Sequence, residues 1–181
     1  MNATLVHLSR LDHATCTAFN RINHRRWWSA AFGAVSRLGN GAFWYAMMAL
    51  LPLVHGWADL VLSLALAING AACTLLYRWL KGATQRPRPC DVYAHLRRTV
   101  APLDRFSFPS GHTLHAVAFT VLIGCAHPGW CVLLVPFTVL VAASRLVLGL
   151  HYLSDVIAGA VIGGGLAVAT WLIAGWLGVL G

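Results

Sequence analysis

The sequence predicts an all-α, integral-membrane bundle of five to six transmembrane helices with an N-terminal amphipathic helix. Two observations carry this. Of 181 residues, 59% are hydrophobic and only 10% are charged, whereas a water-soluble domain carries about 25% charged residues. So much apolar surface needs lipid to cover it. The apolar residues also gather into helix-length runs separated by short polar or glycine-containing breaks, as successive spans do. Residues 1–181 read as one membrane domain, without linker or internal repeat.

Residues 1–26 form the amphipathic segment. Leu5, Leu8, Leu11, Thr15 and Phe19 recur at nearly helical spacing with Arg10, Asp12, His13 and Arg21 between them, which predicts a helix lying on the membrane surface. The run His24-Arg25-Arg26-Trp27-Trp28 reads as an interfacial anchor. An apolar helix over 27–38 is too short to cross a hydrocarbon core that needs about 20 helical residues, and Gly39-Asn40-Gly41 breaks it. It is a partial span or an interfacial helix. Five spans follow, over 43–54, 58–80, 110–126, 130–148 and 152–177, with turns at Pro128-Gly129 and Gly149. Gly159, Gly163, Gly164 and Gly165 in the last span predict close approach by a neighbouring helix. Trp44, Trp57, Trp79 and Trp130 are expected at the membrane interfaces.

The charge is lopsided, with 13 Lys and Arg against 5 acids, all aspartates, and a formal net charge of +8. A basic membrane protein points to anionic head groups. Nucleic acid is excluded as a partner, because these residues form no soluble basic domain, and no obligate protein partner is evident. The five cysteines are scattered, with no C-x-x-C pair, so neither a zinc site nor a disulfide framework is expected; Cys73, Cys125 and Cys131 read as small buried hydrophobes. No signal peptide is expected. The long polar loop, 81–109, holds Lys81, Arg86, Arg88, Arg97, Arg98 and Arg105 with four prolines, and long loops in compact proteins are usually functional.

Three polar patches end or begin spans: Lys81 with Arg88-Pro89, then Pro109-Ser110-Gly111-His112, then Ser144-Arg145 with His151 and Asp155. The order of the spans brings all three to one membrane face. The loops opposite, His55-Gly56-Trp57 and His127-Pro128-Gly129, contain no Lys or Arg. Lys81, Arg88 and Arg145 can clamp a phosphate. Ser110 and Gly111, at a helix start, can turn backbone N–H groups toward it. His151 and Asp155 are four residues apart and share a helix face, so the carboxylate can fix the imidazole tautomer and leave the other nitrogen to attack. His112, from another helix, can serve as general acid and then base.

The three patches resemble the three-part signature of the type-2 phosphatidic acid phosphatase superfamily, which also includes vanadium haloperoxidases and glucose-6-phosphatase. The parts occur in order across residues 81–155, and the apolar flanks fit the membrane branch, although five spans are counted where six are common. The resemblance implies a haloperoxidase-like helical core, a phosphohistidine at His151 oriented by Asp155, and His112 as general acid and base. It assigns phosphate binding to Lys81, Arg88, Ser110, Gly111 and Arg145. It implies no metal and no cofactor. His115, Arg86 and Arg105 are possible substrate-lining residues. His7, His13, His24, His55, His95 and His127 read as structural.

The substrate implied is a phosphorylated lipid in the bilayer. The short chain suggests undecaprenyl diphosphate, with phosphatidylglycerophosphate, phosphatidic acid or lipid A as alternatives; a basic anion transporter and a vanadate-dependent haloperoxidase are remote ones. The positive-inside rule puts the basic face in the cytoplasm, whereas relatives face outward. Because the cations serve phosphate in either orientation, a bacterial inner-membrane protein with a periplasmic site is expected.

Overall fold

The computed structural model describes residues 3–180, which among them form helices and turns without a strand. The helices are α1 (Ala3–Asn20), α2 (Arg26–Leu38), α3 (Ala42–His55), α4 (Leu60–Thr84), α5 (Pro89–Val92), α6 (Gly111–Ala126), α7 (Cys131–Val147) and α8 (Leu153–Trp176). Short 3₁₀ turns precede α2, α4 and α7.

The five expected spans correspond to α3, α4, α6, α7 and α8. The helices containing α4, α7 and α8 are long and apolar enough to cross a membrane. The apolar α3 and α6 have only 14 and 16 residues, about 21 and 24 Å at 1.5 Å per residue. The second span extends past the expected 80 to Thr84, because nothing in Lys81-Gly82-Ala83-Thr84 stops a helix until Gln85 turns left-handed with φ 47°. Lys81 therefore lies in the last turn of α4 rather than in the loop.

The pattern is apolar outside as well as inside. Leu64, Leu75, Val132, Val139, Val161 and Leu172 are exposed on α4, α7 and α8, while Leu66, Leu114, Leu122 and Leu134 fill the interior. Such a surface is stable only against lipid. Trp57 and Trp79 are exposed as expected of anchors, but Trp44 is buried. It packs on Phe43, Phe119 and Phe137 in the core, because it points inward from α3. Cys73 is buried as expected, whereas Cys125 is exposed.

Apolar side chains gain nothing by leaving lipid for a neighbouring helix, so close backbone approach has to hold the bundle together. It does so between α6 and α8. A Cβ on Gly159 would stand 2.6 Å from the Ser110 carbonyl oxygen, and one on Gly163 2.1 Å from that of Leu114. Gly164 and Gly165 do not serve this contact: the first would meet only a Val117 methyl at 3.7 Å, and the second nothing within 4 Å. The approach lets the Ser110 N–H donate to the Asp155 carbonyl oxygen at 3.0 Å, tying the start of α6 to the start of α8.

The N-terminal helix does more than lie on a surface. Leu8, Leu11 and Phe19 are turned outward, as an interfacial helix requires, but Asp12, Cys16 and Asn20 are buried against the protein. The side chain of Leu5 lies outside the described residues. Asn20 donates to the carbonyls of Arg97 and Val147 at 2.9 and 2.8 Å and accepts from the Arg97 N–H. The polar stripe of α1 thus clamps the long loop onto the end of α7.

Candidate active site

A cavity of about 700 Å³ opens between α3, α4 and α6 and ends at His151. Its inner end is lined by Lys81, Arg88, Asp104, Gly111, His112, His115 and His151; its outer part by Trp44, Tyr45, Met48, Leu75 and Phe119. The small residues Ala67, Gly70, Ala71 and Thr74 fall at positions i, i+3, i+4 and i+7 of α4 and leave this space open.

His151 precedes α8, and its side chain is buried between two partners of opposite charge. Arg88 Nη1 donates to its Nε2 at 3.2 Å. A guanidinium has no acceptor, so Nε2 carries a lone pair and the proton is on Nδ1. Nδ1 faces Asp155 Oδ2 at 3.6 Å, too long for a formed hydrogen bond, and has no other partner among the described residues. Burial, then Arg145, Arg88 and Lys81, hold the imidazole well below its ordinary 6.5, so at neutral pH this contact joins a carboxylate to a neutral ring rather than forming an ion pair.

Asp155 occupies the first turn of α8 and closes it: Oδ2 accepts from the Tyr152 N–H at 2.9 Å. Its Oδ1 accepts from Arg86 Nη1 at 2.6 Å. The carboxylate is thereby fixed from two sides while one edge still faces His151.

The cations converge from three elements. Arg88, capping α5, also donates to the Leu150 carbonyl at 2.7 Å and to Asp104 Oδ1 at 2.7 Å. Lys81 reaches the Phe106 carbonyl at 2.6 Å and the same Asp104 oxygen at 3.0 Å. Asp104 therefore bridges two cations assigned to phosphate. Arg145 is buried behind them, bound to Ser36 Oγ through Nη1, and its Nε has no partner among the described residues. Neither Arg145 nor Ser110 lines the cavity. Ser110 is buried with Oγ beside Thr113 Oγ1 at 3.0 Å, so the following Gly111 backbone forms the wall.

His112 Nε2 meets the Oδ1 of Asn40, which also lines the cavity, from the Gly39-Asn40-Gly41 break between α2 and α3. His115 lines the cavity, held by the Gly111 carbonyl at 2.8 Å and Thr74 Oγ1 at 3.1 Å. The two arginines expected beside it do not line the cavity. Arg86 turns behind the site, between Asp155, Asp12 and the Tyr152 ring at 4.0 Å, because two carboxylates and an aromatic face offer it more than the cavity does. Arg105 is exposed and lies over Phe106.

Asn40, Asp104 and Asp12 were not singled out from the sequence. Asn40 lay in a segment legible only as a helix break, and Asp104 and Asp12 lie outside the three patches. The one available signal was scarcity: with five acids in the chain, each carboxylate among so many cations has a choice of partners.

Fold and site define a helical membrane protein whose polar cavity gathers histidines and cations at the inner end of an apolar slot. The chain belongs to the PAP2 superfamily, whose profile matches residues 56–178. It is similar to a lipid A 1-phosphatase of Rhizobium etli, 31% identical over 110 residues that cover 59% of this chain and 47% of that protein. A Rhizobium johnstonii protein of the same name is 29% identical over 132 residues, 71% of this chain and 52% of its own length. The chain thus spans about half the length of these curated relatives. Among solved structures it resembles a transmembrane PAP2-type phosphatidylglycerolphosphate phosphatase from Bacillus subtilis, with a TM-score of 0.75, 22% identity and coverage of 98% of this chain and 89% of that one. It also resembles Aquifex aeolicus LpxE, with a TM-score of 0.70, 24% identity and coverage of 85% and 92%. At these identities the likeness is one of fold, and it extends the shared architecture to the N-terminal helices outside the profile match.

Proposed function

We propose that this protein is a membrane lipid phosphatase that releases phosphate from a lipid A-like phosphoglycolipid through a phosphorylated His151. One observation carries the lipid reading: the cavity runs without interruption from the cations and His151 to the apolar slot of Trp44, Tyr45, Met48, Leu75 and Phe119. A water-soluble phosphate would need only the first part. The names of the two curated relatives support lipid A within the class. Undecaprenyl diphosphate, suggested above by chain length, has no support from these relatives.

In the proposed reaction Lys81, Arg88 and the Gly111 N–H hold the phosphate oxygens, and Arg145, buried behind them with an Nε that has no partner among the described residues, adds its charge. The lone pair of His151 Nε2 attacks phosphorus in line with the lipid oxygen. The phosphorus–nitrogen bond forms as the phosphorus–oxygen bond breaks, and His112, doubly protonated beside the bound phosphate, gives its Nε2 proton to the leaving oxygen, which takes the place of Asn40 Oδ1, and becomes neutral. His112 then removes a proton from water, whose attack frees inorganic phosphate and returns His151. Asp155 stands behind the Nδ1 proton and answers the charge the ring gains, and the cations answer the transition-state charge.

Phosphate release by the purified protein from lipid A 1,4′-bisphosphate, phosphatidylglycerophosphate, phosphatidic acid and undecaprenyl diphosphate tests the reading. Lipid A is expected to give the highest kcat/KM. A tenfold preference for undecaprenyl diphosphate overturns the substrate, and release from none overturns the activity.

A further inference from the structure

We propose that Asp12, on the N-terminal helix, is a positioning residue of the phosphatase, sharing Arg86 so that Asp155 keeps the negative charge that His151 requires. The inference rests on reading His151 as the nucleophile.

Asp155 alone against Arg86 would be a neutral pair. Arg86 Nη1 donates to Asp155 Oδ1 at 2.6 Å, and Arg86 is a permanent cation. A carboxylate neutralised that closely stabilises the Nδ1 proton of a reacting imidazole poorly. Asp12 corrects the balance. Its Oδ2 accepts from Arg86 Nη2 at 2.8 Å. Its two oxygens also accept from Ser154 at the start of α8, Oδ1 from the N–H at 2.9 Å and Oδ2 from the hydroxyl at 2.5 Å. Ser154 Oγ in turn accepts from Arg86 Nη1 at 2.8 Å. Asp12 is 2% exposed and Asp155 0%, so solvent screens the two carboxylates little, although the Arg86 side chain between them is 30% exposed. Two carboxylates and one guanidinium carry one net negative charge, and the edge of Asp155 that faces outward from the trio faces His151.

The other groups around His151 make that charge necessary. Lys81, Arg88 and Arg145 act on the ring from α4, the loop and α7, and His112 comes from α6. Asp104 lies across the cavity, paired with Lys81 and Arg88. From α1, the Cys16 thiol donates to the His151 carbonyl at 3.5 Å; burial pushes this thiol up to about 12, so it adds no charge. When Nε2 bonds to phosphorus the ring becomes cationic among cations, and the Asp12–Arg86–Asp155 trio is the negative group behind it.

The test is a charge balance in the full-length protein. Asp12→Asn removes the net charge, Arg86→Gln doubles it, and the double variant restores it. Asp12→Asn is expected to lower kcat by about 10- to 100-fold, as loss of an outer-shell partner does, with KM within about twofold. It should also move the acid limb of kcat/KM to lower pH, because removing a negative charge makes His151 harder to protonate. The double variant should recover most of the lost kcat. A wild-type kcat and pH profile in Asp12→Asn, or a double variant no better than Asp12→Asn, overturns the proposal. Should Asp12→Asn not fold, Arg86→Gln carries the test: its acid limb should move to higher pH, and an unmoved limb overturns the proposal equally. His151→Ala separates the two levels. Activity in that variant ends the nucleophile reading itself, whereas an inactive His151→Ala beside an unaltered Asp12→Asn ends only the role of Asp12.

Discussion

Arg88 donates to Nε2 of His151 at 3.2 Å, and because a guanidinium only donates, that nitrogen holds a free lone pair beside a fixed cation. The proposed nucleophile is thus unprotonated where it would attack, and a phosphate drawn to Arg88 is drawn to it. Asp155 stands on the other side of the ring, 3.6 Å from Nδ1. Replacing Asp155 by Asn should therefore lower kcat by about 100-fold or more while changing KM little, since the carboxylate touches the ring and not the cavity. Steady-state kinetics on lipid A will show whether the loss falls on kcat.

The pH dependence follows from the same surroundings. His151 is held well below 6.5 by burial and by Arg145, Arg88 and Lys81. It is neutral in the folded protein at pH values where a free histidine is charged, so the acid limb of kcat/KM due to His151 should lie clearly below pH 6.5. A limb at or above pH 6.5 that disappears with a change at Arg88 or Asp155 contradicts this. Stability has the matching sign. Below pH 6.5 the unfolded chain binds a proton that folded His151 refuses, so acid should weaken the fold until the folded group also titrates, by up to about 1.4 kcal/mol per pH unit for one proton. Thermal unfolding between pH 5 and 7.5 measures it.

The slot and the phosphate end can be separated. Ala71 lines the cavity from α4, and Ala71→Trp fills space that a lipid tail needs without touching Lys81, Arg88 or His151. The variant should lose about tenfold or more in kcat/KM on lipid A and keep its rate on p-nitrophenyl phosphate. Equal loss on both substrates contradicts the division of the cavity.

Helix packing gives a structural prediction. Gly163→Ala places a Cβ 2.1 Å from the Leu114 carbonyl oxygen, whereas Gly165→Ala meets nothing within 4 Å. The first should lower stability by about 1–3 kcal/mol, as overpacking does, and should lower activity, because α6 and α8 carry Ser110 and Asp155 in mutual contact. The second should leave both unchanged. Thermal unfolding in detergent distinguishes them.

Metal removal and anion inhibition test how the charge is supplied. The reaction as written draws its positive charge from Lys81, Arg88 and Arg145, so activity should be unchanged after EDTA, and vanadate should inhibit. Asp104→Asn should strengthen inhibition by vanadate and inorganic phosphate by several-fold, because its carboxylate competes for Lys81 and Arg88 at 3.0 and 2.7 Å. Loss of activity on chelation, restored by a divalent ion, contradicts the scheme.

Much of this was legible in the sequence because chemistry and spacing coincide. His151 and Asp155 are four residues apart, although His151 precedes α8 rather than sharing a helix face with Asp155, and His112 follows a Pro-Ser-Gly helix start. The connections from outside the patches were not legible. Nothing local to Asp12 says that it meets Arg86, 74 residues away, and Arg86, next to Pro87-Arg88, is expected from the sequence to line the substrate site rather than to turn behind it. The Asn40–His112 contact spans 72 residues and depends on how two helix breaks meet. Trp44 was misassigned for a simpler reason: an aromatic near a span end fits an interface or a core equally well until the helix face is known.

The site face is proposed to be periplasmic. Reporter fusions in the 90–105 loop and at the C-terminus test this, with a cytoplasmic loop as the contradicting result.

The most direct test of the account is to trap the phosphoenzyme. Protein mixed with ³²P-labelled lipid A and quenched in alkali within one turnover should carry label that survives base, is lost in acid, and maps to the peptide containing His151. His151→Ala should carry none. Turnover by the wild-type protein without such label, or with label on another residue, would contradict the central claim.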